Sequence, residues 1–147
     1  MIRICREQGF KWFEGVANMM RGWALGSQQD VEAGLAQFDR GWSVYRSVKG
    51  KISASHFLAR KVELCARGGH IEQGLALLAE AQAGLDHSGE RWWEAELYRL
   101  RAELLLARPG DHRQEAEGCA ARALAIARRQ QALSLELRAV ITLVRLR

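Results

Sequence analysis

The sequence predicts an all-α fold made of stacked antiparallel helix pairs. Apolar residues recur at helical spacing along most of the chain, and a single proline with no alternating run of β-branched residues argues against a sheet. A pattern of small, large and small residues also recurs three times, with starts 40 and then 42 residues apart. It comprises Gly34, Phe38 and Gly41, then Gly74, Leu78 and Ala81, then Ala116, Ala120 and Ala123. A period of this length is typical of repeated supersecondary units.

Seven helices are predicted, separated by residues that favour turns. They cover residues 9–26, 31–48, 53–67, 71–86, 91–107, 112–131 and 134–147. The polar run at 26–29 ends the first, and Asp30 can accept a hydrogen bond from the N–H groups that open the second. The Gly-Gly pair at 68–69 and the Ser-Gly pair at 88–89 can adopt the left-handed backbone that ends the third and fourth.

Turn residues also delimit the last three helices. Pro109 ends the fifth helix, because proline cannot donate the next helical hydrogen bond. Asp111 and Gln114 have the spacing of a capping box, which predicts the start of the sixth helix near residue 112. The three repeats then cover roughly residues 9–50, 51–89 and 90–132 of one helical repeat domain.

The seventh predicted helix, at 134–147, is an extra helix that carries two apolar stripes. Leu133, Leu137, Val140 and Val144 form one stripe, and Leu143 and Leu146 form the other. Two apolar faces need two neighbours, and only one preceding helix pair is available. We therefore expect the chain to be a fragment of a longer protein that continues past residue 147, or residues 134–147 to form a homodimer contact.

The recurring small residues are interpreted as packing positions. In each unit they lie at i, i+4 and i+7, on one face of the second helix of the pair. A small residue lets the neighbouring backbone approach, and the larger residue one turn away fills the adjacent space. The matching positions on the first helices are Gly22, Val62 and Ala102. The repeat therefore predicts helix pairs that stack at a fixed offset.

These positions resemble the tetratricopeptide repeat, in a variety with helices longer by about a turn. The stretches at 21–25 (RGWAL), 89–97 (GERWWEAEL) and 134–139 (SLELRA) are similar to the C-terminal helical array of large bacterial ATPase regulators with adenylate-cyclase-like or transcriptional output domains. The resemblance covers roughly residues 6–147. It implies a right-handed α-α superhelix with a concave groove, acting without catalysis as a protein-interaction or regulatory scaffold in a cytoplasmic signalling protein.

The resemblance also implies which side chains line the groove, because the first helix of each pair would face it. The candidates are Met19, Met20, Trp23, His56, Arg60, Glu63, Arg67, Glu96, Arg99 and Glu103. An apolar end beside a mixed-charge floor suits a peptide with a hydrophobic anchor and flanking charges. The alternative is that the arginines and glutamates at i, i+3 and i+4 are ordinary same-helix ion pairs, worth about 0.2 to 0.5 kcal/mol each. Trp42 and Trp93 have core spacing and are expected to be buried.

The distribution of charge bears on the class of partner. The net charge is +5, but residues 1–68 and 122–147 each carry +5 whereas residues 69–121 carry −5. An acidic middle would repel phosphate, so nucleic acid is not the expected partner, and an RNA-binding helical repeat is the weakest alternative. No apolar stretch reaches the roughly 18 residues of a membrane-spanning helix.

No pattern of reactive residues predicts chemistry, a metal or a cofactor. His56, His70, His87 and His112 share no helix face, and no phosphate-binding glycine loop is present. Cys5, Cys65 and Cys119 are far apart, which indicates reduced thiols. The last two lie on apolar helix faces, where burial should raise the thiol pKa and reduce reactivity.

Overall fold

The computed structural model describes residues 1–28 and 30–146, and that part of the chain forms eight α-helices and no strand. The helices are α1 (Ile2–Glu7), α2 (Lys11–Gln28), α3 (Val31–Ser47), α4 (Ala54–Gly68), α5 (Ile71–Ser88), α6 (Glu94–Ala107), α7 (Arg113–Arg129) and α8 (Leu133–Leu146). The all-α prediction is confirmed, and the seven predicted helices correspond to α2 through α8. The predicted positions Gln29 and Arg147 lie outside the described residues.

The short helix α1 was not predicted, since six residues are too few to show helical periodicity. Its buried Cys5 fixes the chain at the start of α2, where the backbone N–H of Phe10 donates to the Cys5 carbonyl over 2.8 Å. Arg6 adds an ion pair with Glu14, at 2.9 Å. The helix therefore packs onto α2.

Most helices begin or end at the predicted turn residues. The Asp30 carboxylate accepts a hydrogen bond from the N–H of Ala33 over 2.9 Å, as expected of an N-cap. Gly69 and Gly89 end α4 and α5 with φ of 74° and 71°, the left-handed backbone that glycine adopts readily.

Helix α7 begins at Arg113, close to the predicted start near residue 112, but the predicted capping box with Gln114 does not form. His112 is the residue that precedes α7, and the Asp111 carboxylate accepts a hydrogen bond from the backbone N–H of Arg113 over 3.3 Å. One predicted helix start is wrong. Helix α6 begins at Glu94 rather than near residue 91, since a turn over Arg91 to Trp93 precedes it.

The helices form two layers. In the even layer, α2, α4, α6 and α8 contact one another in series. In the odd layer, α3 packs between α2 and α4, α5 between α4 and α6, and α7 between α6 and α8. Each odd helix thus joins two even helices, so the even layer forms one continuous surface.

The small residues of the repeat lie where the paired helices meet. All nine residues of the pattern, the larger Phe38 and Leu78 included, are buried, as expected of packing positions. The closest approach is between α2 and α3: a Cβ added to Gly22 would lie 2.5 Å from the backbone nitrogen of Phe38 and 2.7 Å from the carbonyl oxygen of Gly34. Gly15 contacts Gly41 in the same way, so these two helices run antiparallel with their backbones touching.

The final helix buries one face and exposes another. Leu135, Ala139, Thr142 and Leu146 are buried against α6 and α7. Leu133, Leu137 and Val144 are 77%, 61% and 67% exposed. One predicted apolar stripe of this helix is thus uncovered along most of its length. None of the described helices combines the length and apolar character needed to cross a bilayer.

Candidate functional site

A concave pocket of about 530 Å³ opens on the even layer. We call it the even-layer pocket. It is lined by Trp23, Arg60, Glu63, Ala66, Arg67, Arg99, Leu100, Glu103, Arg138, Ile141, Thr142 and Arg145. Helices α2, α4, α6 and α8 all contribute, so the pocket exists only because the stacking brings four separate segments together.

Glu63 lies at the centre of the polar contacts on the α2 and α4 side. Its carboxylate accepts hydrogen bonds from the indole N–H of Trp23 at 2.8 Å, from Arg60 at 3.0 Å and from Arg138 at 3.1 Å. Burial acts to raise the pKa of Glu63, but the charge of Arg60 and the hydrogen bonds outweigh it and hold the pKa below its ordinary value. The carboxylate is therefore ionised and fully engaged.

Glu96 lies at the centre of the polar contacts on the α6 side. It is 1% exposed, accepts hydrogen bonds from Arg99 at 2.8 and 2.9 Å, and forms an ion pair with Arg138 at 2.9 Å. Arg99 also donates to Glu103. Burial acts to lower the pKa of Arg99, but the two carboxylates outweigh it and raise that pKa above its ordinary value. This buried group is held charged by its partners.

Two arginines of the pocket take no part in these ion pairs. The three arginines at 60, 99 and 138 are balanced by the three glutamates at 63, 96 and 103. Arg67 and Arg145 also line the pocket, are exposed, and form no ion pair within residues 1–28 and 30–146. The pocket thus carries a surplus of positive charge at its accessible edge, where an anionic group would be attracted.

Six of the ten predicted groove residues line this pocket, namely Trp23, Arg60, Glu63, Arg67, Arg99 and Glu103. The same-helix ion pairs weighed as the alternative are all present as well, so most of these charges are already neutralised.

The other four predicted residues lie elsewhere. Met19 is fully buried because its side of α2 faces α3, and Met20 is half-buried against the same core. His56 stacks on Trp92, and Glu96 lies beneath Arg99 and Arg138. The expected apolar end made by the two methionines is therefore absent from the pocket.

Sequence reasoning missed the contribution of α8. Arg138, Ile141, Thr142 and Arg145 lie at i, i+3, i+4 and i+7, one face of a helix, and all four line the pocket. Ala66 and Leu100 were also missed. The helical spacing was a usable signal, but the apolar stripes of α8 drew the interpretation towards docking instead.

The tryptophans divide between core and surface. Trp42 and Trp93, expected to be buried, are half-buried against the central core. The guanidinium carbon of Arg60 lies 4.9 Å from the centre of the Trp23 ring. Trp92 is 46% exposed and stacks on His56. The aromatic rings thus continue the even layer beyond the pocket towards the start of α6.

Nothing in the described part of the chain groups three or more potential metal ligands from histidine, cysteine, aspartate and glutamate. Burial raises the pKa of the Cys65 thiol to about 11, and burial also raises that of Cys119. Both thiols are protonated at neutral pH, as expected for cysteines that pack rather than react.

Comparison with known proteins finds a similarity to part of a longer protein. No protein-family model and no solved structure matches the chain. The chain is 30% identical over 139 residues to an uncharacterized protein of Rhizobium meliloti (strain 1021), and the match covers 95% of this chain. It spans 13% of the length of that relative. The similarity is therefore to a segment of a much longer polypeptide.

Proposed function

We propose that this chain is a non-catalytic protein-interaction domain that binds an acidic segment of a protein or peptide in the even-layer pocket. The observation that carries the proposal is the pair Arg67 and Arg145, two arginines without carboxylate partners in the described chain, at the edge of a pocket whose other charges are neutralised. Ala66, Leu100 and Ile141 supply apolar surface beside them. An apolar anchor flanked by Asp or Glu fits both features.

We further propose that the domain is a tetratricopeptide-like repeat with a right-handed superhelical stack. Three features support this: paired antiparallel helices, buried small residues at the repeat positions, and an even layer whose helices all reach one pocket. The length of the relative supports a place within a larger protein. In such an arrangement the even layer is the concave, partner-binding side.

A selection from a random peptide display library tests the proposal. We expect sequences that combine one large apolar residue with several Asp or Glu. A selected peptide, labelled for fluorescence anisotropy, should bind the double variant Arg67→Gln/Arg145→Gln at least about tenfold more weakly, since each charge-assisted contact contributes about 1.5 to 3 kcal/mol.

The matched control is Arg40→Gln/Arg129→Gln. These arginines are exposed, lie outside the even-layer pocket, and their loss changes the net charge by the same amount. Affinity should be nearly unchanged. Equal weakening by the two double variants would mean that overall charge, not the pocket, attracts the peptide, and would contradict the proposal. Selection of sequences without acidic residues would do so too.

Self-association is a second candidate function, favoured by the exposed stripe of Leu133, Leu137 and Val144 on α8. A second copy could cover this face and remove its apolar area from water. Size-exclusion chromatography with light scattering should then show a dimer whose dissociation increases in Leu137→Ser. A monomer at high concentration would rule out this function while leaving the peptide-binding proposal intact.

A further inference from the structure

A second pocket, of about 430 Å³, opens on the other side of the molecule between α3 and α5. We call it the odd-layer pocket. It is lined by Trp42, Arg46, Lys49, Gly50, Lys51, Ala54, Ser55, Leu58, Glu80, Ala81, Gly84, Leu85, His87, Ser88 and Glu90. It shares no lining residue with the even-layer pocket, and α4 contributes to both.

The floor of the odd-layer pocket is apolar and preformed. Trp42, Leu58 and Leu85 supply it from three helices, and all three belong to or pack against the central core. A pocket of this size, with an apolar floor and a few polar groups, is typical of small-molecule sites.

Gly84 keeps this pocket open. A Cβ added there would meet no atom within 4 Å, unlike one added to Gly22, so packing against a neighbouring helix does not require a glycine. Glycine within a helix costs about 0.5 to 1 kcal/mol relative to alanine. The missing side chain leaves space on the wall of the pocket at an energetic cost that no close helix contact explains.

The rim of the pocket carries three basic side chains and two carboxylates, a surplus of one positive charge. Arg46 is paired with Glu80 at 3.3 Å, and the Glu90 carboxylate accepts hydrogen bonds from the backbone N–H of Ser53 at 3.0 and 3.2 Å. Lys49 and Lys51 form no ion pair within the described residues. These two ammonium groups are thus available to an anion.

The loop that carries the lysines is held in an unusual backbone conformation. Lys49 and Ser53 have φ of 55° and 62°, a left-handed region that side-chain-bearing residues rarely adopt. The Tyr45 hydroxyl donates to the Ile52 carbonyl over 2.8 Å, and Glu90 fixes Ser53, so neighbouring groups hold the loop in place. Backbone of this kind often occurs at ligand-binding segments.

We propose that the odd-layer pocket binds a small amphipathic organic anion. Its apolar body contacts Trp42, Leu58 and Leu85, and its carboxylate or other anionic group lies at Lys49 and Lys51. This site is separate from the peptide site proposed above, so either can be disproved alone.

Two fluorescent probes with nearly the same apolar body test the proposal. Anilinonaphthalenesulfonate carries an anionic group, whereas phenylnaphthylamine is uncharged. We expect the sulfonate to bind the full chain saturably with a rise in fluorescence, and at least about tenfold more tightly than the uncharged probe. Lys49→Gln/Lys51→Gln should remove this preference. Equal binding of the two probes to the unaltered chain would overturn the assignment of an anionic ligand.

Gly84→Leu fills the pocket and should abolish sulfonate binding with little change in melting temperature. The matched control is Gly118→Leu on α7, another helical glycine whose added Cβ would meet no atom within 4 Å. It lies outside the pocket and should leave binding unchanged. Unaltered binding in Gly84→Leu, or loss of binding in Leu137→Ser on the exposed stripe of α8, would show that the probe binds elsewhere and would overturn the proposal.

Discussion

The two ends of this molecule are held together by different kinds of contact. At the N-terminal end, α2 and α3 touch backbone to backbone, with Gly22 packed against the nitrogen of Phe38. Towards the C-terminal end, α4, α6 and α8 pack through apolar side chains, and long charged side chains join them as well, with Arg138 reaching both Glu63 and Glu96. The first interface has no room for any added atom, whereas the charged side chains at the second can be replaced by others.

The close contact at the N-terminal end follows from which small residue each unit of the repeat carries. The first unit has glycine at its small positions, whereas the third has alanine, with Ala116, Ala120 and Ala123 fully buried. Glycine lets the backbones meet, and alanine keeps them one methyl group apart. The repeat determines how closely the helices pack, and the long side chains of the even layer determine what the surface can bind.

The largest expected effect comes from breaking the glycine contact. Gly22→Ala places a methyl group 2.5 Å from a backbone nitrogen, and neither helix can move aside without separating from the other. We expect the free energy of unfolding to fall by about 3 kcal/mol or more, measured by urea denaturation. In Gly74→Ala the nearest atom is the end of the Leu104 side chain, at 2.8 Å, which can rotate. A loss of about 1 kcal/mol or less is expected there.

Gly118→Ala is the control for both substitutions. It adds the same methyl group where no neighbour lies within 4 Å, so helix propensity alone should stabilise the protein by about 0.5 to 1 kcal/mol. If Gly22→Ala were no more destabilising than Gly74→Ala, α2 and α3 would not be in backbone contact.

The sequence predicted the paired helices well because their pattern is local. Small residues at i, i+4 and i+7 identify a packing face from a single segment, and Gly34, Phe38 and Gly41 are indeed buried together. The residue that precedes α7 was predicted less well than the start of the helix itself. Asp111 and Gln114 satisfy the capping spacing, yet His112 precedes the helix, since spacing alone does not decide which residue leaves the helical conformation.

Within the candidate site, the sequence predicted only the contacts between residues of the same helix. Arg60 with Glu63, and Glu96 with Arg99, follow from i, i+3 spacing. The contact of Arg138 with Glu63 joins residues 75 positions apart and depends on how three helices stack, which no local pattern specifies. Which side of α2 faces the core depends on the same stacking.

Neutralising one buried carboxylate should have the second largest effect. Glu96→Gln keeps the shape of the side chain but removes the charge that balances Arg99 and part of Arg138. We expect the free energy of unfolding, measured by urea denaturation, to fall by about 2 kcal/mol. This is less than for an isolated buried pair, because Glu63 and Glu103 remain. Glu115→Gln removes half of a pair with Arg101 that is about half exposed on both sides. It should cost under about 0.5 kcal/mol, and equal losses would show that the even-layer network is not buried.

The smallest effect should come from protonating His56. Burial and the charge of Arg60 lower its pKa below the ordinary 6.5, against the opposing effect of Glu63, so the folded state favours the neutral ring. That stability is fully present above pH 6.5 and is lost as the pH falls towards the lowered pKa. The melting temperature should therefore decrease between pH 7 and pH 5, and His56→Phe, which preserves the ring contacts with Trp92 and Trp93, should show a smaller decrease. His87→Gln, on the opposite layer, should retain the full pH dependence, and a decrease unaffected by His56→Phe would assign it to another group.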